Sequence, residues 1–174
     1  MKFVYVLALA LVFAGCATQR GFPPEHQIVN FDYINPVSPE LYRGAQPSQN
    51  GLAFLKSVGV STVVNLRQLD DVFPAEEGVV KELGMAYISA PLSGVRAPAV
   101  AEINAILARI EAAPQPVFVH CQYGCDRTGL VIACWRIRHD RWSNDKALLE
   151  AEQYGLSPWL PNFKSFIKHF PAKP

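Results

Sequence analysis

Charge is scarce in this 174-residue chain, at 18% of residues, and it is balanced: 16 Lys and Arg against 15 Asp and Glu, for a net charge of +1. No basic run and no interleaving of basic with aromatic residues occurs, so nucleic-acid binding has no footprint. Cysteine is also sparse, with four in all, at 16, 121, 125 and 134. A zinc site built on His120, Cys121 and Cys125 lacks the second C-x2-C or H-x3-H pair that zinc needs, so no metal is assigned. No repeat or low-complexity block is visible, which excludes solenoids and propellers. The N-terminal apolar run covers only residues 3–14, short of the ~20 residues that a membrane-spanning helix requires.

That short run has another reading. Lys2 supplies a positive end, residues 3–14 an apolar stretch, and Phe13-Ala14-Gly15-Cys16 a small-residue junction. This pattern reads as a signal segment, and the junction resembles a bacterial lipobox with Phe where Leu is usual. The resemblance implies cleavage before Cys16 and lipidation of its thiol. It implies a lipid-anchored protein of the bacterial cell envelope, on the periplasmic face of the outer membrane if the cell is Gram-negative. An ordinary secretory signal or an uncleaved anchor is the alternative. The expected organisation is a signal peptide over 1–15, a polar tether with Pro23-Pro24 over 16–30, and one domain over 31–174. With 50% hydrophobic residues, that domain can form a substantial core.

The most informative run is His120-Cys121-Gln122-Tyr123-Gly124-Cys125-Asp126-Arg127-Thr128-Gly129. The apolar run 116–119 before it reads as a buried strand, and the apolar run 130–137 after it as a buried helix. A strand, a tight loop and a helix start form an anion cradle, because the first N–H groups of a helix have no intrahelical acceptor. A cysteine at the base of such a cradle is a nucleophile facing the anion, and thiols ionise more readily at helix N-termini and beside positive charge. Arg127 offers a planar fork able to hold two phosphate oxygens. Gly124 lets the backbone approach them without a Cβ in the way.

This H-C-x5-R-[ST] run resembles the signature of the cysteine-dependent protein tyrosine phosphatase superfamily, in its compact dual-specificity branch. Leu41-Tyr42-Arg43-Gly44-Ala45-Gln46-Pro47 and Val63-Val64-Asn65-Leu66-Arg67 are similar to the opening elements of the atypical plant-and-fungal-type members and their bacterial relatives. The resemblance spans residues 31–170. It implies a cofactor-free phosphomonoester hydrolase with Cys121 as nucleophile. The bowl binding the substrate phosphate would comprise Gln122, Tyr123, Gly124, Cys125, Asp126 and Arg127. His120 would hold the loop through ring hydrogen bonds, and the Thr128 hydroxyl would donate to the Cys121 sulfur. Arg67 would tie neighbouring loops together. Oxidation could join Cys121 to Cys125, four residues away, where the geometry allows. Cys134 reads as core.

The general acid departs from the family pattern. Dual-specificity phosphatases usually carry this Asp on the loop that here reads Pro91-Leu92-Ser93-Gly94-Val95-Arg96-Ala97-Pro98, and no Asp occurs between Asp71 and Asp126. Asp126, directly before the signature Arg, resembles the acid of myotubularin-like and bacterial lipid-and-protein phosphatases. The competing view is that Asp126 only pairs with a cation and shapes the loop. Asp70 and Asp71 are second candidates, and otherwise make a solvated turn before a helix opened by Pro74.

The expected fold is α/β, a mostly parallel central sheet of four to five strands flanked by helices. Strands are expected at 41–43, 62–66, 85–90 and 117–120. Helices are expected at 48–57, 74–83, 98–110, 128–139, 144–154 and 162–170, with Ser48 and Ser143 as caps and Gly59, Gly84 and Gly155 as terminators. Three functions compete. A protein phosphatase acting on phosphotyrosine, and on phosphoserine or phosphothreonine, leads. A phosphoinositide or inositol phosphate phosphatase is the alternative, since the Asp126 pattern leans toward lipids. Against it, Gln122, Tyr123 and Cys125 give the loop no lysine, and Arg43 and Arg96 read as solvated or structural. A phosphate-binding pseudophosphatase is the non-enzymatic option, favoured by the missing loop Asp. The partner is accordingly a phosphorylated protein or a phospholipid, with the membrane reached through Cys16.

Overall fold

The computed structural model describes residues 34–68 and 75–173. In chain order its elements are β1 (Asn35–Ser38), β2 (Leu41–Gly44), α1 (Gln49–Ser57), β3 (Thr62–Asn65), α2 (Glu76–Glu82), β4 (Ala86–Ser89), α3 (Val100–Ala112), β5 (Val117–His120), α4 (Asp126–Arg138), α5 (Asn144–Gln153) and α6 (Pro161–His169). The strands form one sheet in the order β1-β2-β5-β3-β4. β2, β5, β3 and β4 are mutually parallel, and β1 closes one edge antiparallel to β2.

The side-chain alternation of the two central strands builds a core on each face of the sheet. Val63 and Phe118 point to one face, where Leu52 and Leu55 of α1, Val80 of α2 and Met85 cover them. Val64, Val117 and Val119 point to the other, against Ile103, Ile106, Leu107 and Ile110 of α3 and the buried run of α4. Burying each such aliphatic side chain stabilises the fold by roughly 1.5–3 kcal/mol. α4 lies among α3, α5 and α6. That setting explains why Leu130, Val131, Ile132, Ala133, Cys134 and Ile137 are buried around most of its circumference rather than along one stripe. Cys134 is core, as expected, and burial pushes its thiol far up the pH scale.

Local signals act where the sequence put them. Ser48 caps α1 by accepting the Gly51 N–H at 3.1 Å, and Ser143 caps α5 through Lys146 N–H at 3.3 Å. Gly59, Gly84 and Gly155 end α1, α2 and α5 with positive φ. Most ends shift by one or two residues, and α3 starts at Val100 with Ala99 as its cap rather than at Pro98. β1 was not foreseen, because Asn35-Pro36-Val37-Ser38 has neither β-branched density nor alternation. It pairs as an edge strand, where Pro36 is tolerated. α4 begins at Asp126 rather than Thr128, which brings Asp126 and Arg127 into its first turn. The tether, Cys16, Asp70, Asp71 and Pro74 lie outside the described residues.

Candidate active site

The register of three parallel strands assembles the site. Gly44 of β2 and Asn65 of β3 both stand level with His120 of β5. The chain leaving each strand therefore meets the other two at the C-terminal edge of the sheet, where open α/β sheets place ligands. The contacts are direct. Gln46 N–H donates to the Gln122 carbonyl at 3.1 Å, and Leu66 N–H donates to the His120 carbonyl at 2.9 Å.

Cys121 sits at the end of β5, buried at 3% exposure, and is a free thiol. The bond to Cys125 that oxidation could form is thus not present. Gln122 and Tyr123 project outward, with Tyr123 60% exposed. Gly124 turns the loop with φ +72°, and a Cβ there would lie 2.6 Å from the Gly44 carbonyl carbon. Both the left-handed conformation and the close approach to β2 require glycine. Asp126 and Arg127 open α4, whose first N–H groups have no intrahelical acceptor. Arg127 is buried, at 8% exposure. Thr128 Oγ1 is fully buried and makes no hydrogen bond, so the expected donation to the sulfur is not formed here.

His120 has no exposed surface and stacks on Phe118, with ring centroids 5.5 Å apart. Its Nδ1 donates to the Cys121 carbonyl at 3.2 Å, holding the loop as expected. Its Nε2 lies 3.1 Å from Glu76 Oε1, within ion-pair range though too poorly aligned for a straight hydrogen bond. Glu76 is 1% exposed and is the hub of this network. Its Oε1 accepts from Gln46 Nε2 at 2.7 Å, and its Oε2 accepts from Asn65 Nδ2 at 2.5 Å and from the Tyr87 hydroxyl at 3.3 Å. Burial pushes the carboxyl up, but the hydrogen bonds and charge around it outweigh burial and hold it below its ordinary range. Burial and the neighbouring Glu76 push the Tyr87 phenol up to about 12. Arg67 donates to Gln46 Oε1 at 2.8 Å, so it does link neighbouring loops. Nothing in the sequence marks Glu76, which looks like any acid in a first helical turn.

Three further residues correct or sharpen expectation. Arg43 is not solvated: it is 2% exposed, donates from Nη2 to the Gly124 carbonyl at 2.9 Å, and lies 4.0 Å over the Tyr154 ring. Strand alternation with buried Leu41 was the available signal. Arg96 is exposed and pairs with Glu102 at 3.3 Å. Asp126 is half-buried and accepts the Ser157 N–H at 2.8 Å. Burial raises its carboxyl pKa, outweighing that hydrogen bond and the Arg127 charge. Among the described residues, no cluster of three or more His, Cys, Asp or Glu is arranged to hold a metal.

The geometry agrees with comparisons to known proteins. Residues 23–158 match the family model described as DSP-PTPase phosphatase fused to NAD+ kinase. The dual specificity protein phosphatase TpbA of Pseudomonas aeruginosa (strain PAO1) is 35% identical over 122 residues, covering 69% of this chain and 53% of that protein. The inositol diphosphatase SIW14 of Saccharomyces cerevisiae is 29% identical over 128 residues, 70% of this chain and 42% of that one. The chain therefore spans about half the length of these curated relatives. A crystal structure of P. aeruginosa TpbA, a cysteine-to-serine variant in complex with phosphotyrosine, superposes with a TM-score of 0.70 at 25% identity, covering 88% of this chain and 90% of that one. The SIW14 catalytic core with citrate shares the fold at a TM-score of 0.71 and 22% identity, over 83% and 89% of the two chains. With the family model matched across most of its length and the signature loop folded at the helix start, this chain belongs to the DSP-PTPase phosphatase family.

Proposed function

We propose that the protein is a cysteine-dependent phosphomonoester hydrolase acting on phosphoproteins, with phosphotyrosine the leading substrate. The observation that carries this reading is a buried free thiol directly after β5, joined by the short signature loop to the first turn of α4, where Arg127 stands. Cys121 Sγ attacks phosphorus, the ester P–O bond breaks, and the leaving oxygen takes a proton from Asp126. Water then attacks the phosphocysteine and gives its proton to Asp126, and the S–P bond breaks to release phosphate. Arg127 and the loop amides hold the non-bridging oxygens, where the charge of a loose transition state is spread. The raised carboxyl of Asp126 supports its acid role, since it favours the protonated form.

Turnover of a chromogenic aryl phosphate tests the reading. We predict hydrolysis that is abolished by Cys121→Ser. A wild-type protein that binds phosphate without turnover would instead be a pseudophosphatase. The similarity to an inositol diphosphatase supports a second reading, an inositol phosphate substrate. A panel of phosphopeptides and inositol phosphates separates the two, and the lysine-free loop favours phosphopeptides. We also propose a lipid anchor at Cys16 that holds the domain at the cell envelope. It rests on the N-terminal sequence pattern alone. Incorporation of a labelled fatty acid in a bacterial host, lost in Cys16→Ser, is the expected result; equal labelling of both proteins would refute it.

A further inference from the structure

Arg43 is the anomaly of this fold. Its guanidinium is fully enclosed, and the carboxylate whose charge it feels most, Glu150, is paired with Arg136 instead. Its Nη1 is buried without a hydrogen-bond partner. A buried, unpaired donor on a cation costs stability, and replacing buried charge with apolar bulk of similar volume is often neutral or stabilising. Packing alone therefore does not explain an arginine here. What the side chain does touch is the apex of the signature loop and little else that is polar: Nη2 bonds the Gly124 carbonyl at 2.9 Å, and the guanidinium stacks over Tyr154. The loop leans on the same strand through its backbone, since Gly124 is packed against Gly44.

The consequence follows from the planarity of the peptide unit. In a trans peptide the C=O and the following N–H point in opposite directions. Drawing the Gly124 carbonyl back onto Arg43 turns the N–H of Cys125 the other way, toward the concave side of the loop. That peptide is the one most free to flip, because it follows a glycine with positive φ. The same guanidinium puts a fixed positive charge behind the loop, within electrostatic range of Cys121.

We propose that Arg43 is a positioning residue of the phosphate site: it anchors the loop from behind through the Gly124 carbonyl and adds a buried cation to the field that holds an oxyanion. The proposal rests on the reading of this loop as a phosphate cradle. Arg43 touches neither Cys121 nor Arg127 in any hydrogen bond, so it acts through the loop and not on the reacting atoms.

The test is binding of inorganic phosphate to the full-length Cys121→Ser protein, measured by calorimetry, with and without Arg43→Met. Loss of one charge-assisted hydrogen bond and one buried cation should weaken phosphate binding about tenfold or more. The melting temperature without phosphate should stay within a few degrees, because the lost bond is offset by the removed desolvation cost. A purely structural arginine would lower the melting temperature and leave the affinity of the folded protein intact. A change of less than threefold in affinity overturns the proposal. If Arg43→Met does not fold, Arg43→Lys is used. The ammonium keeps the charge but cannot stack on Tyr154 and reach Gly124 in the same way, so a loss of at least threefold is again expected and a smaller one is refuting. Turnover plays no part in this measurement. A wild-type protein inert toward aryl phosphates would thus sink the enzymatic reading while leaving the Arg43 result standing.

Discussion

Glu76→Gln is the sharpest probe of the network beneath the signature loop. The wild-type carboxylate is 1% exposed and receives Gln46, Asn65 and Tyr87 while facing His120 Nε2. A glutamine has the same shape but offers one oxygen and one NH2. The NH2 replaces an oxygen that accepts from Gln46 or from Asn65 and Tyr87, and the negative charge is gone. Hydrogen bonds to a charged group contribute roughly 1.5–3 kcal/mol each. The amide recovers part of this, so we predict a destabilisation of about 2–4 kcal/mol. For a chain of this size that lowers the melting temperature by roughly 4–16 °C, at about 2–4 °C per kcal/mol. The pH dependence has a definite sign. The folded carboxyl titrates below its ordinary 4.5, so its stabilising contribution is complete above that value and is lost as pH falls through the folded pKa. The gap between wild type and variant should therefore be level from neutral pH to about 5 and close in more acidic buffer. Urea denaturation across that range, run in the Cys121→Ser background to avoid thiol chemistry, measures it. A gap under 0.5 kcal/mol, or one that widens in acid, would refute the reasoning.

Three other outcomes are expected. Asp126→Asn should reduce turnover of substrates with poor leaving groups by ~10²–10⁴-fold while sparing good ones; an equal loss across leaving groups counts against the acid role. Because burial raises the Asp126 carboxyl, the ionised form is disfavoured in the fold, and Asp126→Asn should keep or slightly raise stability at pH 7, with a clear drop contradicting this. Gly124→Ala should destabilise by about 2–4 kcal/mol, from the left-handed φ and the clash with Gly44, and should weaken phosphate binding; a fold as stable as wild type would show that the loop can relax.

The layout of the domain was legible because its signals are local. Ser48 and Ser143 announce helix starts, Gly59, Gly84 and Gly155 announce ends, and Val63-Val64 and Val117-Phe118-Val119 can only be central strands. The signature loop was legible because its residues are consecutive. Glu76 was not, because its importance lies in partners at 46, 65, 87 and 120, brought together only by strand register. Arg43 was half legible: alternation with Leu41 pointed it inward, but a charge is assigned to solvent by default. β1 escaped because an edge strand with a proline has no strong propensity to read.

The ties at the rim differ in kind from those at the floor. The loop is stitched by backbone bonds to the chain leaving β2 and β3, whereas Ser157 reaches it through Asp126 and Asn162 bonds the Val95 carbonyl, with Val95 74% and Trp159 87% exposed. Such a division lets the surroundings be rewritten while the floor of the bowl stays put. Swapping residues 94–96 and 158–159 is where a redesign for a different phosphorylated molecule should begin, since Ala97 and Leu160 pack on the core and neither shorter segment carries a strand of the sheet.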